Sequence, residues 1–333
     1  MRHFLEVRSE GLYCRAGDFY IDAWAPVKHC IITHAHGDHG RPGHQHYMAS
    51  ENTAKMLKLR LGLDSVDIFP YDEKVKINDC WVSLHPAGHI LGSAQIKIES
   101  GSTTCVVSGD YKRAFDSSCE PFSLQQCDLF VTESTFALPI YNWEEPVHTA
   151  QKIFEWWQEN KAKGFASVLF CYALGKAQRI LSLLQTYTSS PIYLHGAILT
   201  FASLYEECGV VLGSYLPIHA NPNKSFSGEL ILAPPMAKGT PWMKRFLPYK
   251  TALASGWMQV RGMRRRKNLD RGFALSDHAD WQELLRTVKE TGATTVLTTH
   301  GNTSSLARYL KEQGLQAAPL NGMEWLDEGE GEV

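Results

Sequence analysis

The chain has 333 residues, 44% of them apolar and 20% charged, and its formal net charge is −2. This composition is that of a globular protein of about two domains, and it excludes a disordered or fibrous chain. The acidic tail, residues 327–333, carries four carboxylates, so the rest of the chain has a net charge of +2. Any nucleic-acid surface must therefore be a local patch. The tail itself is predicted to be solvated and disordered; a regulatory or partner-binding tail is the alternative.

Two further features of the composition bear on location. No apolar run approaches the ~18 residues that span a bilayer, and the charged N-terminus lacks the apolar core of a signal peptide. The eight cysteines form no CxxC pair, and several lie in apolar runs, such as Cys105 before Val106 and Cys171 after Phe170. Free buried thiols are typical of a reducing compartment. We therefore expect a cytoplasmic protein with no membrane association.

In chain order, short strands separated by turn residues come first, and strands alternate with helices from about residue 165. That alternation is the pattern of a parallel sheet, while residues 215–228 look most like a loop. Strands are predicted at 19–23, 28–33, 80–85, 94–99, 104–108, 128–132, 168–171, 192–194, 230–233 and 294–298. Helices are predicted at 50–61, 146–160, 176–186, 198–208, 281–291 and 303–313, with Ser50 and Asp280 as N-caps of two of them.

The most informative motif follows the second of these strands. Residues 33–40 contain three imidazoles and a carboxylate, namely His34, His36, Asp38 and His39. Side chains alternate along an extended backbone, so His34 and His36 should point to the same side. The turn at Gly37 can bring the next two ligands to a second nearby point. Imidazole and carboxylate together favour zinc, with manganese as the alternative, and two adjacent divalent-metal pockets are predicted.

Other ionisable residues share a position at the ends of predicted strands. A buried acid just before the His-rich loop, Asp22, suits the orientation of a ligand imidazole, although a strand-end turn former is the alternative. Strand ends or glycine-flanked loops also carry His89, Asp110 and His300. Two more residues, Glu133 after a strand and His278 in a polar loop, suit acid–base chemistry, because a glutamate that orients an imidazole makes a competent general acid.

Taken in order, the motifs D, HxHxDH, AGHxxGS, GD, EST, SDHAD and HG resemble the β-CASP nucleases of the metallo-β-lactamase fold. The match runs from about Phe19 to His300. The local sequences at 41–44, 133–139 and 276–281 are most similar to the bacterial DNA ligase-associated exonucleases. One position, His300, instead resembles the RNA-processing branch, because Artemis-like DNA enzymes carry valine there.

The resemblance implies an α/β fold, a metallo-β-lactamase αββα sandwich with an inserted β-CASP α/β cap domain. The sandwich would comprise residues 1–164 and 266–326, the cap residues 165–265, and the disordered tail residues 327–333. One metal would take His34, His36 and His89, and the other Asp38, His39 and His300. Asp110 would bridge the two ions, and Asp38 would count among the catalytic residues. Glu133 would hold His278, which would protonate the departing 3′ oxygen.

The implied activity is two-metal-dependent DNA exonucleolysis in DNA repair, 5′→3′, with 5′-phosphate products. DNA is the implied substrate, single-stranded or with ends, and an ATP-dependent DNA ligase and a DEXH helicase are the implied pathway partners. An RNA-processing ribonuclease of the same group is the alternative. A catalytically inactive scaffold is disfavoured because the ligand set is complete, and a small-molecule hydrolase because it would not need the cap.

Nucleic-acid contacts are predicted at two places. The densest basic run contains Arg264, Arg265 and Arg266. The planar guanidinium group matches the geometry of phosphate oxygens, so this run is predicted to contact the nucleic-acid backbone. A solvated charged loop is the alternative. The pair Ser255 and Gly256 resembles a strand-end loop near the scissile phosphate. Two residues of a helix start, Lys176 and Arg179, suit either anion binding or a solvated face. The pair Trp156 and Trp157 is assigned to the core and not to base stacking.

Overall fold

A computed structural model of the chain describes residues 5–220 and 224–320, so the predicted tail lies outside the described residues. The chain divides into two compact units. The first contains the residues up to Ile140 and those from His278 onward, and the second is Tyr141–Asp277. Among the described residues, no helix combines the length and apolarity that a membrane span requires.

Nineteen strands are present in the described residues, with bounds as follows: β1 Leu5–Arg8, β2 Gly11–Cys14, β3 Phe19–Ile21, β4 His29–Ile31, β5 His46–Ala49, β6 Asp67–Ile68, β7 Val75–Ile77, β8 Cys80–Pro86, β9 Ala94–Ser100, β10 Thr103–Val107, β11 Leu129–Glu133, β12 Ala166–Phe170, β13 Ile192–Leu194, β14 Tyr215–Pro217, β15 Leu230–Ala233, β16 Tyr249–Ala254, β17 Arg271–Phe273, β18 Thr295–Thr299 and β19 Gln316–Pro319.

The α-helices of the described residues are α1 Glu51–Leu61, α2 Pro146–Ala162, α3 Lys176–Leu184, α4 Gly196–Glu207, α5 Arg261–Arg266, α6 Trp281–Thr291 and α7 Thr303–Glu312. Short 3-10 helices lie at Ile218–Ala220, Pro235–Ala237, Pro241–Phe246 and Gly256–Gln259.

The first unit is built on two facing sheets. Their strand orders are β1-β2-β3-β4-β5-β6 and β19-β18-β11-β10-β9-β8-β7. Apolar side chains of both sheets form one buried core, with Ile31 from the first and Val82 and Val107 from the second. The neighbouring residue in β10, Val106, points the other way and packs with α6 and α7. Helix α1 lies against β5 and β6. Period-two alternation in β10 therefore serves both faces of the sheet.

The second unit contains a six-stranded sheet, ordered β14-β13-β15-β12-β16-β17, in which all recorded strand pairs are parallel. Its buried core includes Val168, Phe170 and Ile231. Trp156 and Trp157 are both buried, which confirms their assignment to the core. The indole Nε1 of Trp157 donates to the carbonyl of Gly228 at 2.9 Å.

The predicted elements compare with the structure as follows. Both N-caps are confirmed, because Ser50 accepts from Thr53 N at 3.3 Å and the Asp280 carboxylate accepts from Glu283 N at 2.9 Å. Residues 215–228 are less loop-like than predicted, since they contain β14 and a 3-10 helix. The second unit extends beyond the predicted 165–265, because α2 packs on β12 and β17 pairs with β16.

Candidate metal centre

The loop after β4 brings two imidazoles toward one point, and a third comes from the glycine-flanked loop between β8 and β9. Nε2 of His34 lies 3.1 Å from Nδ1 of His36, which lies 3.0 Å from Nε2 of His89. All three rings are buried. Nitrogens about 2.0–2.1 Å from a tetrahedral zinc are about 3.3 Å apart. The separations therefore match one metal pocket.

A second cluster contains three more of the predicted ligands. Its members are Asp38, His39 and His300, whose ligand atoms all lie within 4.8 Å of one another. The rings of His39 and His300 stack, with centroids 4.8 Å apart and 18° between their planes. His300 follows β18 with φ +53°, a left-handed backbone that turns its ring back toward the site. The structure thus brings these three side chains close together, as it does His34, His36 and His89.

Asp110, three residues after β10, lies between the two clusters. Its Oδ2 is 3.5 Å from Nε2 of His34, 3.3 Å from Nε2 of His39 and 3.8 Å from Nε2 of His89. Both of its carboxylate oxygens, and Oδ2 of Asp38, are buried and accept no hydrogen bond within the described part of the chain. Buried carboxylate oxygens without donors are costly unless a cation meets them. The donor set therefore fits divalent ions, with Asp110 placed to bridge.

The electrostatics of the site agree with that fit. Burial raises the pKa of Asp110 to about 7, although the neighbouring His39 opposes the shift. Burial and the surrounding imidazoles, His39 first among them, hold the pKa of His34 well below its usual range. Burial also lowers the pKa of His39, but the carboxylates of Asp110, Asp38 and Asp22 outweigh it and raise that pKa well above its usual value. Divalent cations would compensate these buried carboxylates directly.

Asp22 supports the His-rich loop from behind. Its Oδ1 accepts from Thr33 N at 2.8 Å, and its Oδ2 accepts from Thr33 Oγ1 at 2.6 Å. The same Oδ2 lies 2.7 Å from Nδ1 of His39, so Nε2 of that ring faces the second cluster. A hydrogen bond of this kind fixes the ring and its tautomer. The position suits the orienting role predicted for Asp22.

Helix α1 connects the two ligand loops. At its N-terminal end, the hydroxyls of Ser50 and Thr53 both donate to the carbonyl of Gly92, in the loop that carries His89. At its C-terminal end, the guanidinium of Arg60 donates to the carbonyls of Gly40 and, at 3.5 Å, His36. A Cβ on Gly92, which has φ +81°, would lie 2.4 Å from Thr53 N. Glycine therefore permits the close contact between helix and loop.

The predicted acid–base pair lies beside the first cluster. Nδ1 of His278 is 2.9 Å from Oε2 of Glu133, and the other oxygen of Glu133 accepts from Tyr111 N at 2.7 Å. Both side chains are buried. Ligand-type atoms of Glu133, His278 and Asp110 lie within 4.8 Å of one another, and the ring centroid of His278 is 4.7 Å from that of His89. The pair is thus held where it can reach a group at the metal clusters.

The predicted nucleic-acid contacts all belong to the second unit. Ser255 and Gly256 are buried after β16, and Ser255 Oγ accepts from Trp257 N at 3.4 Å. The arginine run, predicted as a loop, is the helix α5, on which Arg265 and Arg266 are exposed. The side chain of Arg264 lies outside the described part of the structure.

The solvated face considered for Lys176 and Arg179 is wrong. Both residues are 3% exposed, and both pair with Asp277, at 2.7 Å for Lys176 and 2.9 Å for Arg179.

Sequence reasoning missed two supporting contacts. One is Arg60 on α1. The other is Lys112, a fully buried side chain whose Nζ lies 2.6 Å from Asp116 Oδ2 and donates to the carbonyl of His89 at 3.2 Å. An isolated lysine or arginine in sequence gives no indication of such a contact, because its acceptors come from other loops.

Comparison with known proteins identifies several relatives of the chain. No family model matches the chain. It is 33% identical, over 312 residues, to a probable DNA ligase of Opitutus terrae; the match covers 93% of this chain and 30% of that protein. It is 26% identical over 158 residues to cleavage and polyadenylation specificity factor subunit 3-I of Arabidopsis thaliana, covering 46% of this chain and 22% of that protein.

A third relative is endoribonuclease YSH1 of Saccharomyces cerevisiae, 29% identical over 160 residues, covering 46% of this chain and 20% of that protein. The chain thus spans less than a third of the length of these relatives. A crystal structure of an Enterococcus faecalis protein of unknown function aligns with a TM-score of 0.57 at 12% identity, covering 83% of this chain and 76% of that one. The motif order, the facing sheets and these relatives show that the chain belongs to the β-CASP group of metallo-β-lactamase-fold nucleases.

Proposed function

We propose that this chain is a metal-dependent exonuclease that hydrolyses DNA phosphodiester bonds in repair, from 5′ to 3′, and leaves 5′-phosphate products. The single observation that carries the hydrolytic part is the buried Glu133–His278 pair, 2.9 Å apart, beside two clusters of metal-ligand side chains. The direction of digestion and the repair context come from the resemblance to ligase-associated exonucleases.

The ligand sets are those described above, with Asp110 shared, and the donors favour zinc. Divalent ions held there would stabilise charge on the phosphate and lower the pKa of a bound water. The chain itself supplies the acid. Glu133 binds Nδ1 of His278, so Nε2 can hold a proton for the departing 3′ oxygen. The buried setting strengthens this pairing by excluding water.

DNA is proposed as the substrate because the relative aligned over 93% of this chain is named a probable DNA ligase. A nuclease related to a protein of that name would suit the trimming of DNA ends before they are joined. An ATP-dependent DNA ligase and a DEXH helicase are therefore the proposed pathway partners.

An RNA-processing ribonuclease is the second candidate. Relatives named endoribonuclease support it, as does His300, which belongs to the second ligand cluster. Recognition of a 2′-hydroxyl would distinguish this candidate from the first.

We further propose that the second unit, Tyr141–Asp277, is the β-CASP cap. It would contact nucleic acid through Ser255, Gly256 and the arginines of α5, which include Arg264, Arg265 and Arg266. Parallel strands joined by helices are the arrangement expected of that insertion.

The test uses metal-loaded protein with single-stranded DNA labelled at either end and with RNA of matched sequence. Asp38→Ala is the control, since it removes one ligand of the second cluster. Stepwise shortening of DNA from its 5′ end, absent in the variant, is the expected result. Preferential or internal cleavage of RNA would select the ribonuclease. Equal activity of the variant would contradict the proposed site.

A further inference from the structure

Two segments that are distant in the chain meet beside the first ligand cluster. One is the loop between β8 and β9 that carries His89, and the other is residues 112–120, here called the strap. At the start of the strap, the backbone N–H of Lys112 donates to the carbonyl of Ala87 at 3.2 Å. A Cβ on Gly88, which has φ +74°, would lie 2.3 Å from the carbonyl oxygen of Lys112. The backbone of the strap therefore lies directly against the ligand loop.

The other end of the strap holds the same loop through a carboxylate. Oε2 of Glu120 accepts from the backbone N–H of Gly92 at 2.8 Å, and its Oε1 accepts from Nδ2 of Asn52, in α1, at 2.9 Å. A charged acceptor strengthens a hydrogen bond from a backbone N–H. Glu120 thus fixes the far end of the His89 loop and joins it to helix α1.

Between these two ends, a buried ion pair contacts the ligand residue itself. Nζ of Lys112 donates to the carbonyl of His89 at 3.2 Å and lies 2.6 Å from Oδ2 of Asp116. The other oxygen of Asp116 accepts from Ser118 N at 2.9 Å, which fixes the carboxylate. The side chains of Lys112 and Asp116 are 1% and 5% exposed, and a buried ammonium is costly without a counter-charge. Because Asp116 supplies that charge, Lys112 can hold His89 without adding net positive charge beside the metal ligands.

We infer that Lys112 is a positioning residue for His89, and that the strap controls the affinity of the first cluster for its ion without affecting the second cluster. The inference rests on the proposed function, because it concerns the metal sites of that reaction. The carbonyl that Lys112 holds belongs to the residue whose Nε2 lies 3.0 Å from Nδ1 of His36. A shift of this backbone would move the imidazole with it, and a binding constellation tolerates displacements of only about 0.5 Å. The second cluster takes its three ligands from other segments, so it should keep its ion.

The test measures zinc affinity by chelator competition, in the absence of nucleic acid, for each cluster separately. Asp38→Ala removes a ligand of the second cluster and so leaves the first to be measured, and His36→Ala does the reverse. Lys112→Met/Asp116→Asn removes the donor to His89 without leaving a buried carboxylate unpaired. It should weaken zinc binding about 10- to 100-fold in the Asp38→Ala background and leave it unchanged in the His36→Ala background. Equal losses in both backgrounds, or no loss in either, would overturn the inference.

A second set of variants tests the other end of the strap, and it decides the question if the first variant does not fold. Glu120→Ala removes the acceptor of Gly92 N, whereas Glu120→Gln keeps an oxygen that can accept the same hydrogen bond. In the Asp38→Ala background, Glu120→Ala should weaken zinc binding and Glu120→Gln should retain most of the affinity. Equal zinc affinity of these two variants would contradict a positioning role.

Ser118→Ala is the control for general loosening of the strap, because it removes a hydroxyl donor to Asp116 and leaves the contact between Lys112 and His89 in place. It should bind zinc as the unsubstituted strap does, and a loss as large as that of the Lys112 variant would count against the inference. Cleavage is measured separately. Wild-type protein that binds zinc but cleaves neither DNA nor RNA would therefore contradict the proposed function alone.

Discussion

Arg60 gives the sharpest test of how the metal loops are held. Its guanidinium donates to the carbonyls of Gly40 and His36, and these two residues bound the part of the loop that contains Asp38 and His39. Replacing Arg60 with glutamine removes the charge and shortens the side chain, so both carbonyls lose the guanidinium donor, and the His36 carbonyl keeps only the backbone donors of His39 and Gly40. Removing residues that orient metal ligands costs about 10- to 100-fold in metal affinity, which is about 1.4 to 2.7 kcal/mol. The half-buried position of Arg60 places the expected loss toward the lower end, because solvent screens part of the interaction.

The assay is competition for zinc with a chromophoric chelator, together with thermal unfolding with and without metal. Lys58→Gln is the matched control, since it removes a cation from an exposed position of the same helix. The account predicts that Arg60→Gln weakens zinc binding and reduces the increase in unfolding temperature that zinc produces. Lys58→Gln should change neither quantity. Wild-type zinc affinity in Arg60→Gln would refute the reasoning that α1 positions the ligand loop.

Three further predictions follow from the contacts of the site. Asp22→Asn removes the carboxylate that holds Thr33 and His39, and should weaken metal binding about 10- to 100-fold in the same competition assay; unchanged affinity would leave Asp22 as a turn former. Gly92→Ala should destabilise the fold by more than about 2 kcal/mol in denaturant unfolding, because a left-handed backbone and a contact 2.4 Å from Thr53 N combine there. Gly101→Ala, with φ +58° and open space, should cost about 1 kcal/mol and serves as its control. Glu133→Gln and His278→Ala should each slow hydrolysis about 10²- to 10⁴-fold with metal content unchanged, and the double variant should be no slower than the worse single one; additive losses would contradict a shared role.

Much of the metal site could be predicted from the sequence because its ligands follow short apolar strands. Asp110 lies three residues after β10 and His300 directly follows β18. These two strands lie in one sheet, so the positions of the two residues in the chain indicate where they meet. The HxHxDH loop is local, and its six residues are enough to supply ligands for two adjacent metal pockets. The starts of two helices could also be predicted from the sequence, because Ser50 and Asp280 accept hydrogen bonds from backbone N–H groups three residues further on.

What escaped prediction depends on contacts between distant segments. In the sequence, Arg179 looks like part of a polar helix face, yet it is buried and donates to Asp277, 98 residues away. Lys112 and Arg60 donate to backbone carbonyls of loops. Every residue has such a carbonyl, so the sequence does not indicate which one is the acceptor. The limits of the second unit also differ from 165–265, because α2 and β17 are assigned by packing and pairing and not by composition.

The central claim is that these side chains hold divalent ions that are needed to hydrolyse nucleic acid. The most direct measurement counts zinc per chain by elemental analysis in the wild type, His36→Ala and Asp38→Ala, and measures cleavage of labelled DNA in the same preparations. The account predicts two ions in the wild type, fewer in each variant, and cleavage that disappears with chelator and returns with metal. Cleavage that persists in metal-free protein, or ligand variants that retain both ions and full activity, would contradict it.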